Sequence, residues 1–173
     1  MEFKQQFEDV IFLELTDRPN GHGQSYAMNY GVSESSGQYL CFLDDDDHWT
    51  DNQYLTKLFD NLDACKVPVD VHYSQQKATY SNGTTRNENL WIEDLIPSVL
   101  SQEKNHGDSY FVDASFLLRS TGFAHLNCSV FRREFYQSVG CMDETIRYEN
   151  DRDMYIRSID AASVILYSTN YMS

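Results

Sequence analysis

Four consecutive carboxylates, Asp44, Asp45, Asp46 and Asp47, are the residues of this 173-residue chain whose type and spacing most readily do chemistry. Side by side they repel one another, and a divalent cation with oxygen ligands, bridging to a diphosphate, offsets that cost. They follow directly on the apolar run Tyr39, Leu40, Cys41, Phe42, Leu43. The carboxyl end of a central strand is where open α/β sheets place their ligands. Alternate residues of an extended segment share a side, so Asp44 and Asp46 are expected to point one way. Asp45 and Asp47 are then left to solvent, near the positive end of a helix starting around residue 51. A further carboxylate, Asp151, stands just after Asn150 in the first turn of an expected helix, a rigid end from which its side chain can project into a cleft.

The elements that must position these groups can be read from periodicity. Residues 10–13 (Val10, Ile11, Phe12, Leu13) read as a buried strand, followed by a loop at residues 17–21. Tyr26, Ala27, Tyr30 and Gly31 fall at helical spacing within residues 24–36, with Gly37 near the helix end. The continuous run at 39–43 is that of an inner strand in a parallel sheet, covered on both faces. Thr50, Asp51, Asn52 and Gln53 have capping-box form ahead of the apolar helical face Tyr54, Leu55, Leu58, Phe59, Leu62. A strand is expected within residues 69–80, a turn at Asn82 and Gly83, and a helix within 90–100 that Pro97 keeps short. Residues 115–118 and 124–131 read as extended, 133–139 as a short helix closed by Gly140, and 163–167 as a closing strand. The alternation implies an α/β layered sheet in a single domain.

Composition narrows the function. A net charge of −14, with 13 Lys and Arg spread along the chain, argues against a nucleic-acid binder and suits a divalent metal. No apolar run is long enough to span a bilayer, so membrane association is expected to be peripheral, and the opening residues 1–7 are too polar for a signal peptide. Four cysteines without a C-x-x-C pair fit a reducing cytoplasm.

Ser25, Tyr26, Ala27, Met28, Asn29, Tyr30, Gly31, and then the segment GQYLCFLDDDDHW at 37–49, resemble the family 2 glycosyltransferases, whose A-N-G helix and F-L-D-x-D-D element match in order and spacing. Downstream, Phe131, Arg132, Arg133, Glu134, then Val139, Gly140, Cys141, Met142, Asp143, Glu144, then Asn150, Asp151, Arg152, Asp153 resemble that family's acceptor-side half. The resemblance implies the GT-A fold, a mostly parallel sheet flanked by helices. Its donor and metal side would span residues 1–95 and its acceptor side residues 96–173. It further implies a nucleoside-diphosphate sugar donor, a saccharide or lipid-linked saccharide acceptor, inverting transfer, and Mn²⁺ or Mg²⁺ as cofactor. The setting would be polysaccharide or other glycoconjugate synthesis, in the cytoplasm or at the inner face of its membrane.

Carried onto this chain, the resemblance assigns donor binding to Asp44, Asp45 and Asn29, the metal to Asp46, and the catalytic base to Asp151. Trp49, His125 and Asn150 fall on the acceptor side. The chain departs from the pattern where Asn150 replaces the Glu of the family's Glu-Asp pair, Glu149 being displaced by one. The resemblance also implies that the strand and loop gripping the nucleotide base lie before residue 1, and a metal-holding histidine segment beyond residue 173. Residues 1–173 alone are therefore expected to fold but to transfer poorly.

Two other readings fit the acidic turn. A haloacid-dehalogenase-like phosphatase also places D-x-D after an apolar strand, but Thr or Val should follow it, whereas here Asp47, His48 and Trp49 do. A non-catalytic module that binds a sugar or a partner through the same half-site is the other.

Overall fold

Unbroken burial of Val71, His72, Tyr73, Ser74 and Gln75 places strand β2 (Val71–Gln75) in the middle of the sheet, with packing on both faces. The computed structural model describes residues 10–15, 23–102 and 109–172. In chain order the elements are α1 (Gln24–Glu34), β1 (Tyr39–Cys41), α2 (Tyr54–Asp63), β2, a 3₁₀ turn at Glu93–Leu95 leading into α3 (Ile96–Val99), β3 (Ser109–Val112), α4 (Ala114–Leu117), a 3₁₀ turn at Leu126–Cys128, β4 (Ser129–Arg132), α5 (Arg133–Ser138), α6 (Asn150–Ala161) and β5 (Ile165–Tyr171). The loop expected at residues 17–21, the opening residues 1–7 and Ser173 lie outside the described residues.

The five strands lie in the order β1-β4-β2-β5-β3. Only β2 and β5 pair in parallel; β1 with β4, β4 with β2, and β5 with β3 are antiparallel. The α/β architecture is therefore as expected, while the sheet is mostly antiparallel in its pairings. The strands β1, β2 and β5 do run one way. The reversed strands β4 and β3 are interleaved beside them, and that is a long-range choice which local periodicity does not encode.

Side chains alternate between two cores, as the strand pleat requires. Val71 and Tyr73 of β2, Phe131 of β4 and Ile165 and Tyr167 of β5 join Val32, Phe135, Tyr136, Met154, Tyr155 and Ile159 of the helices on one face. On the other, Val130 meets Tyr54 and Leu58 of α2, with Met172. The carboxylate of Asp70, just before β2, accepts from the Arg132 guanidinium at 2.7 Å and from the amides of Ser163 and Val164 at 2.8 and 3.0 Å. It thereby ties the ends of β2, β4 and β5 together. Arg133 donates to the carbonyls of Val32 and Gly37 and to the Ser35 hydroxyl, satisfying acceptors that the end of α1 leaves without helical partners.

Four local expectations need correction. Among the described residues, 10–13 form no strand and are exposed, the five strands of the sheet being drawn from later segments. The run at 39–43 is a three-residue edge strand with only Leu40 buried, so its apolar character does not reflect cover on both faces. Residues 115–117 belong to helix α4, with Leu118 as its C-cap, since the Asp113 carboxylate caps the helix start by accepting from the Phe116 amide at 2.8 Å. Helix α2 starts at Tyr54, three residues inside the capping-box position, because Asp51 folds a turn of its own by accepting from the Gln53 amide.

Among the described residues His72, near the sheet centre, finds no hydrogen-bond partner for either ring nitrogen, and burial pushes its pKa from 6.5 down to about 4. Between those values the unfolded chain binds a proton that the folded chain does not, so stability is present above pH 6.5 and is lost as pH falls towards 4. The loss is on the order of 3 kcal/mol. His72→Leu is expected to flatten this part of the urea-unfolding free energy against pH; an unchanged slope would remove His72 as its cause.

Candidate active site

The register of β1 on β4 builds the acidic end of the site. Cys41 lies opposite Val130, so the residues beyond β1 meet those just before β4, in the 3₁₀ turn at Leu126–Cys128. Beyond β1 the chain turns sharply, with the Asp47 amide donating to the Asp44 carbonyl at 3.2 Å. This brings together carboxylates three residues apart rather than two. Asn127, 2% exposed, clamps the turn from below. Its side-chain oxygen accepts from the Asp44 amide at 2.9 Å, and its Nδ2 donates to the Asp47 carboxylate in a short contact. Gln24, in the first turn of α1, donates to Asp44 Oδ1 at 3.0 Å.

The second carboxylate arrives on α6. Glu149, at φ 55°, turns the chain into the helix. Asn150 then reaches across to α1, donating to Ser25 Oγ at 3.1 Å and Gln24 Oε1 at 3.3 Å, while its own side-chain oxygen accepts from the Asp151 amide. The N-termini of α1 and α6 are thus tied, and Asp151 comes to stand across from Asp44 with His125 between them. His125 Nε2 is 3.5 Å from Asp151 Oδ2 and 3.9 Å from Asp44 Oδ2.

The electrostatics favour a cation. Desolvation raises the Asp44 pKa above the ordinary aspartate value, and repulsion from Asp47 and Asp46 adds to it, opposed by His125 and the Gln24 hydrogen bond. Asp44, Asp47 and His125 each present one ligand atom, all within 4.8 Å of one another. Crowded hard oxygens with an unmet negative charge fit Mn²⁺ or Mg²⁺. His125 Nδ1 accepts from the Asn127 amide at 3.4 Å, which puts the proton of a neutral ring on Nε2, facing the carboxylates. In that tautomer His125 turns an N–H, not a lone pair, towards the carboxylates, with Asp151 Oδ2 3.5 Å away. The carboxylates of the turn are the groups that stand ready for the ion.

The other candidates from the sequence fall as follows. Asp45 and Asp46 are exposed, and Asp46 borders a cavity of about 490 Å³ on the far side of His125. Asn29, a donor-binding candidate, has both ends of its amide engaged: Nδ2 donates to Met142 O and Glu144 Oε1, and Oδ1 accepts from Tyr136 Oη and the Met142 amide. It braces α1 against the loop after α5 and leaves no amide atom free for a donor. Trp49 packs edge-on to Tyr54 in the core beneath α2. The aromatic residue on the cavity is Trp91, edge-on to His125 at 6.2 Å. Sequence reasoning passed over Asn127, Gln24 and Trp91, and it assigned Asp47 to solvent on strand alternation, which a turn does not obey.

Trp91 is fixed through its backbone. Its amide donates to Glu93 Oε2 at 2.8 Å, and its carbonyl lies 3.2 Å from Ser120 Oγ, whose one proton goes to Asp94 Oδ1 at 2.6 Å. Gly122 packs so closely that an added Cβ would stand 2.1 Å from the Trp91 carbonyl oxygen. Gly122→Ala is expected to destabilise the fold by about 3 kcal/mol and to shift tryptophan emission. Parent-like denaturant unfolding would show that the Trp91 backbone can yield.

A family model described as glycosyl transferase family 2 matches residues 2–140. Among solved structures, the crystal structure of S. aureus TarS 1-349 superposes with a TM-score of 0.62 at 14% identity, covering 87% of this chain. This chain spans 39% of the length of that one. Comparison with curated proteins gives no match. Among the described residues no helix is long and apolar enough to cross a membrane.

Proposed function

The chain belongs to glycosyl transferase family 2, and from that premise we propose that it moves a sugar from a nucleoside-diphosphate sugar to an acceptor hydroxyl with inversion. The observation that carries this reading is the opposition of two differently placed carboxylates. Asp44 sits in an acidic turn held by Asn127 and Gln24, and Asp151 sits on a rigid helix end across His125.

In this reading Asp44, with Asp45 beside it, meets the donor, and Asp46 and Asp47 join Asp44 as the oxygen ligands of a divalent cation. The cation supplies positive charge to the departing diphosphate. Asp151 takes the proton of the acceptor hydroxyl as the new oxygen–carbon bond forms at the anomeric carbon and the bond to the diphosphate oxygen breaks. His125, 3.5 Å from Asp151 Oδ2, stands beside the base and biases its orientation electrostatically. Asn150 sets the approach of α6 and does not touch substrate. The acceptor is a saccharide, free or lipid-linked, and the product belongs to a polysaccharide or other glycoconjugate.

The test is release of nucleoside diphosphate by the intact protein from a panel of uridine, guanosine and thymidine diphosphate sugars with Mn²⁺ or Mg²⁺. At least one donor should be consumed in a metal-dependent way, giving product of inverted anomeric configuration. Consumption of none, or retention of configuration, would overturn the reading.

A further inference from the structure

We propose that Arg147 is a specificity-determining residue that receives an anionic group of the acceptor, a phosphate or a carboxylate; this rests on the glycosyltransferase reading above. Arg147 lines a cavity of about 270 Å³ together with Gln24, Asp44, His125, Asn150 and Asp151. It is exposed, so a ligand in that cavity can reach it. Among the described residues every other arginine is engaged. Arg86 pairs with Glu88, Arg132 with Asp70, Arg152 with Glu149 and Arg157 with Asp153. Arg133 donates to backbone carbonyls, and Arg119 lies over the Phe116 ring. Arg147 alone among them makes no such contact, in a chain where 27 Asp and Glu face 13 Lys and Arg.

The local backbone makes room for this side chain. An added Cβ at Gly23 would stand 2.6 Å from Arg147 Nη1, so a glycine there leaves the guanidinium its place against the start of α1. Glu149, two residues on, turns to Arg152 at 3.6 Å instead. A planar guanidinium without a protein acceptor is matched by two oxygens of one phosphate or carboxylate, and a neutral hydroxyl is a weaker partner for it. Asp44 and Asp151 on the same cavity repel an anion, so one that enters is held beside Arg147. The two cavities on either side of His125 indicate which substrate brings it. Asp46 and Asp47 border the one on the far side, whereas Arg147 shares its cavity with Asp151. The base takes its proton from the acceptor, and the group within reach of Arg147 therefore belongs to the acceptor rather than to the diphosphate of the donor.

The experiment uses the intact protein and two readouts. Arginine Nε–H resonances are followed by NMR, that of Arg147 being identified by its loss in Arg147→Gln. Glucose 6-phosphate, as the phosphate probe, or glucuronate, as the carboxylate probe, should shift this resonance. Glucose should not, and the shift should shrink as salt is raised. No response to either acid, or an equal response to glucose, would overturn the proposal. A response to uridine diphosphate with Mg²⁺ and to neither acid would move the anion to the donor and sink the acceptor assignment. In the transfer assay Arg147→Gln should raise the acceptor KM by about tenfold or more and the donor KM by much less. Arg147→Lys, which keeps the charge and loses the fork, should recover part of that loss. A parent-like acceptor KM in Arg147→Gln would overturn the proposal while transfer itself stands. Acid-induced shifts in a protein that consumes no donor would keep the anion site and sink the transferase reading, and with it the assignment to an acceptor.

Discussion

Asp151→Asn is expected to lower the rate of sugar transfer by roughly 10²–10⁴-fold while leaving affinity for the metal and the donor close to that of the parent. The substitution keeps size and shape, and the oxygen of the new amide could still accept from the Arg152 amide as the aspartate does at 2.8 Å. What it removes is a carboxylate able to hold the acceptor's proton. The hydroxyl becomes acidic only as its oxygen bonds to the anomeric carbon, so a weak base suffices provided it is already in place. The Asn150 contacts to α1 hold it there, with His125 3.5 Å away. If Asp151 served only the helix start, the loss would be about 0.3–1 kcal/mol of stability with transfer unaffected. Initial rates at saturating substrates separate the two, and near-normal transfer would take Asp151 out of the mechanism. His125→Gln gives a companion result: a smaller loss of rate, with the dependence of that rate on pH altered, as befits a residue that positions the base.

How much of this was legible in the sequence depended on whether the governing interactions are local. The helices α1, α2, α5 and α6 follow from spacing and are where periodicity puts them, with ends displaced by a few residues. The insertion of β4 between β1 and β2 depends on pairings about 60 and 90 residues apart along the chain, which no local pattern records. Residues 10–13 and 39–43 show the same limit, because apolar composition reports a tendency to be buried but not which neighbour is available. At the site, Asp44 and Asp151 could be singled out because each stands at the end of a recognisable element. Asn127 could not, since its role is to meet two backbone-distant aspartates. Trp49 stood beside the acidic run in sequence and attracted attention for that reason, while Trp91, remote in sequence, is the one on the cavity.

The acidic turn should fail in a graded way. In calorimetry with Mn²⁺ and a nucleoside diphosphate, Asp44→Asn and Asp46→Ala in the intact protein are expected to lose at least about 100-fold in metal-dependent affinity, and Asp47→Asn a comparable amount. Asp45→Ala should lose less, because Asp45 lines neither the Asp44, Asp47, His125 cluster nor the cavity that Asp46 borders. Asn127→Ala touches no ion. It removes the clamp on both Asp44 and Asp47, so a loss of about 10–100-fold is expected from disorder of the turn alone. The direction with pH follows from Asp44. Its pKa is raised by desolvation first and by its acidic neighbours second, so protons compete with the ion at higher pH than they would at an ordinary aspartate. Affinity should therefore fall as pH drops, starting above 3.8, and Asp44→Asn should blunt that fall. Parent-like affinity in Asp46→Ala would remove Asp46 from the ligand set. Parent-like affinity in Asp44→Asn and Asp47→Asn together would remove the turn as the metal site and return its carboxylates to the role of a solvated loop beside α2.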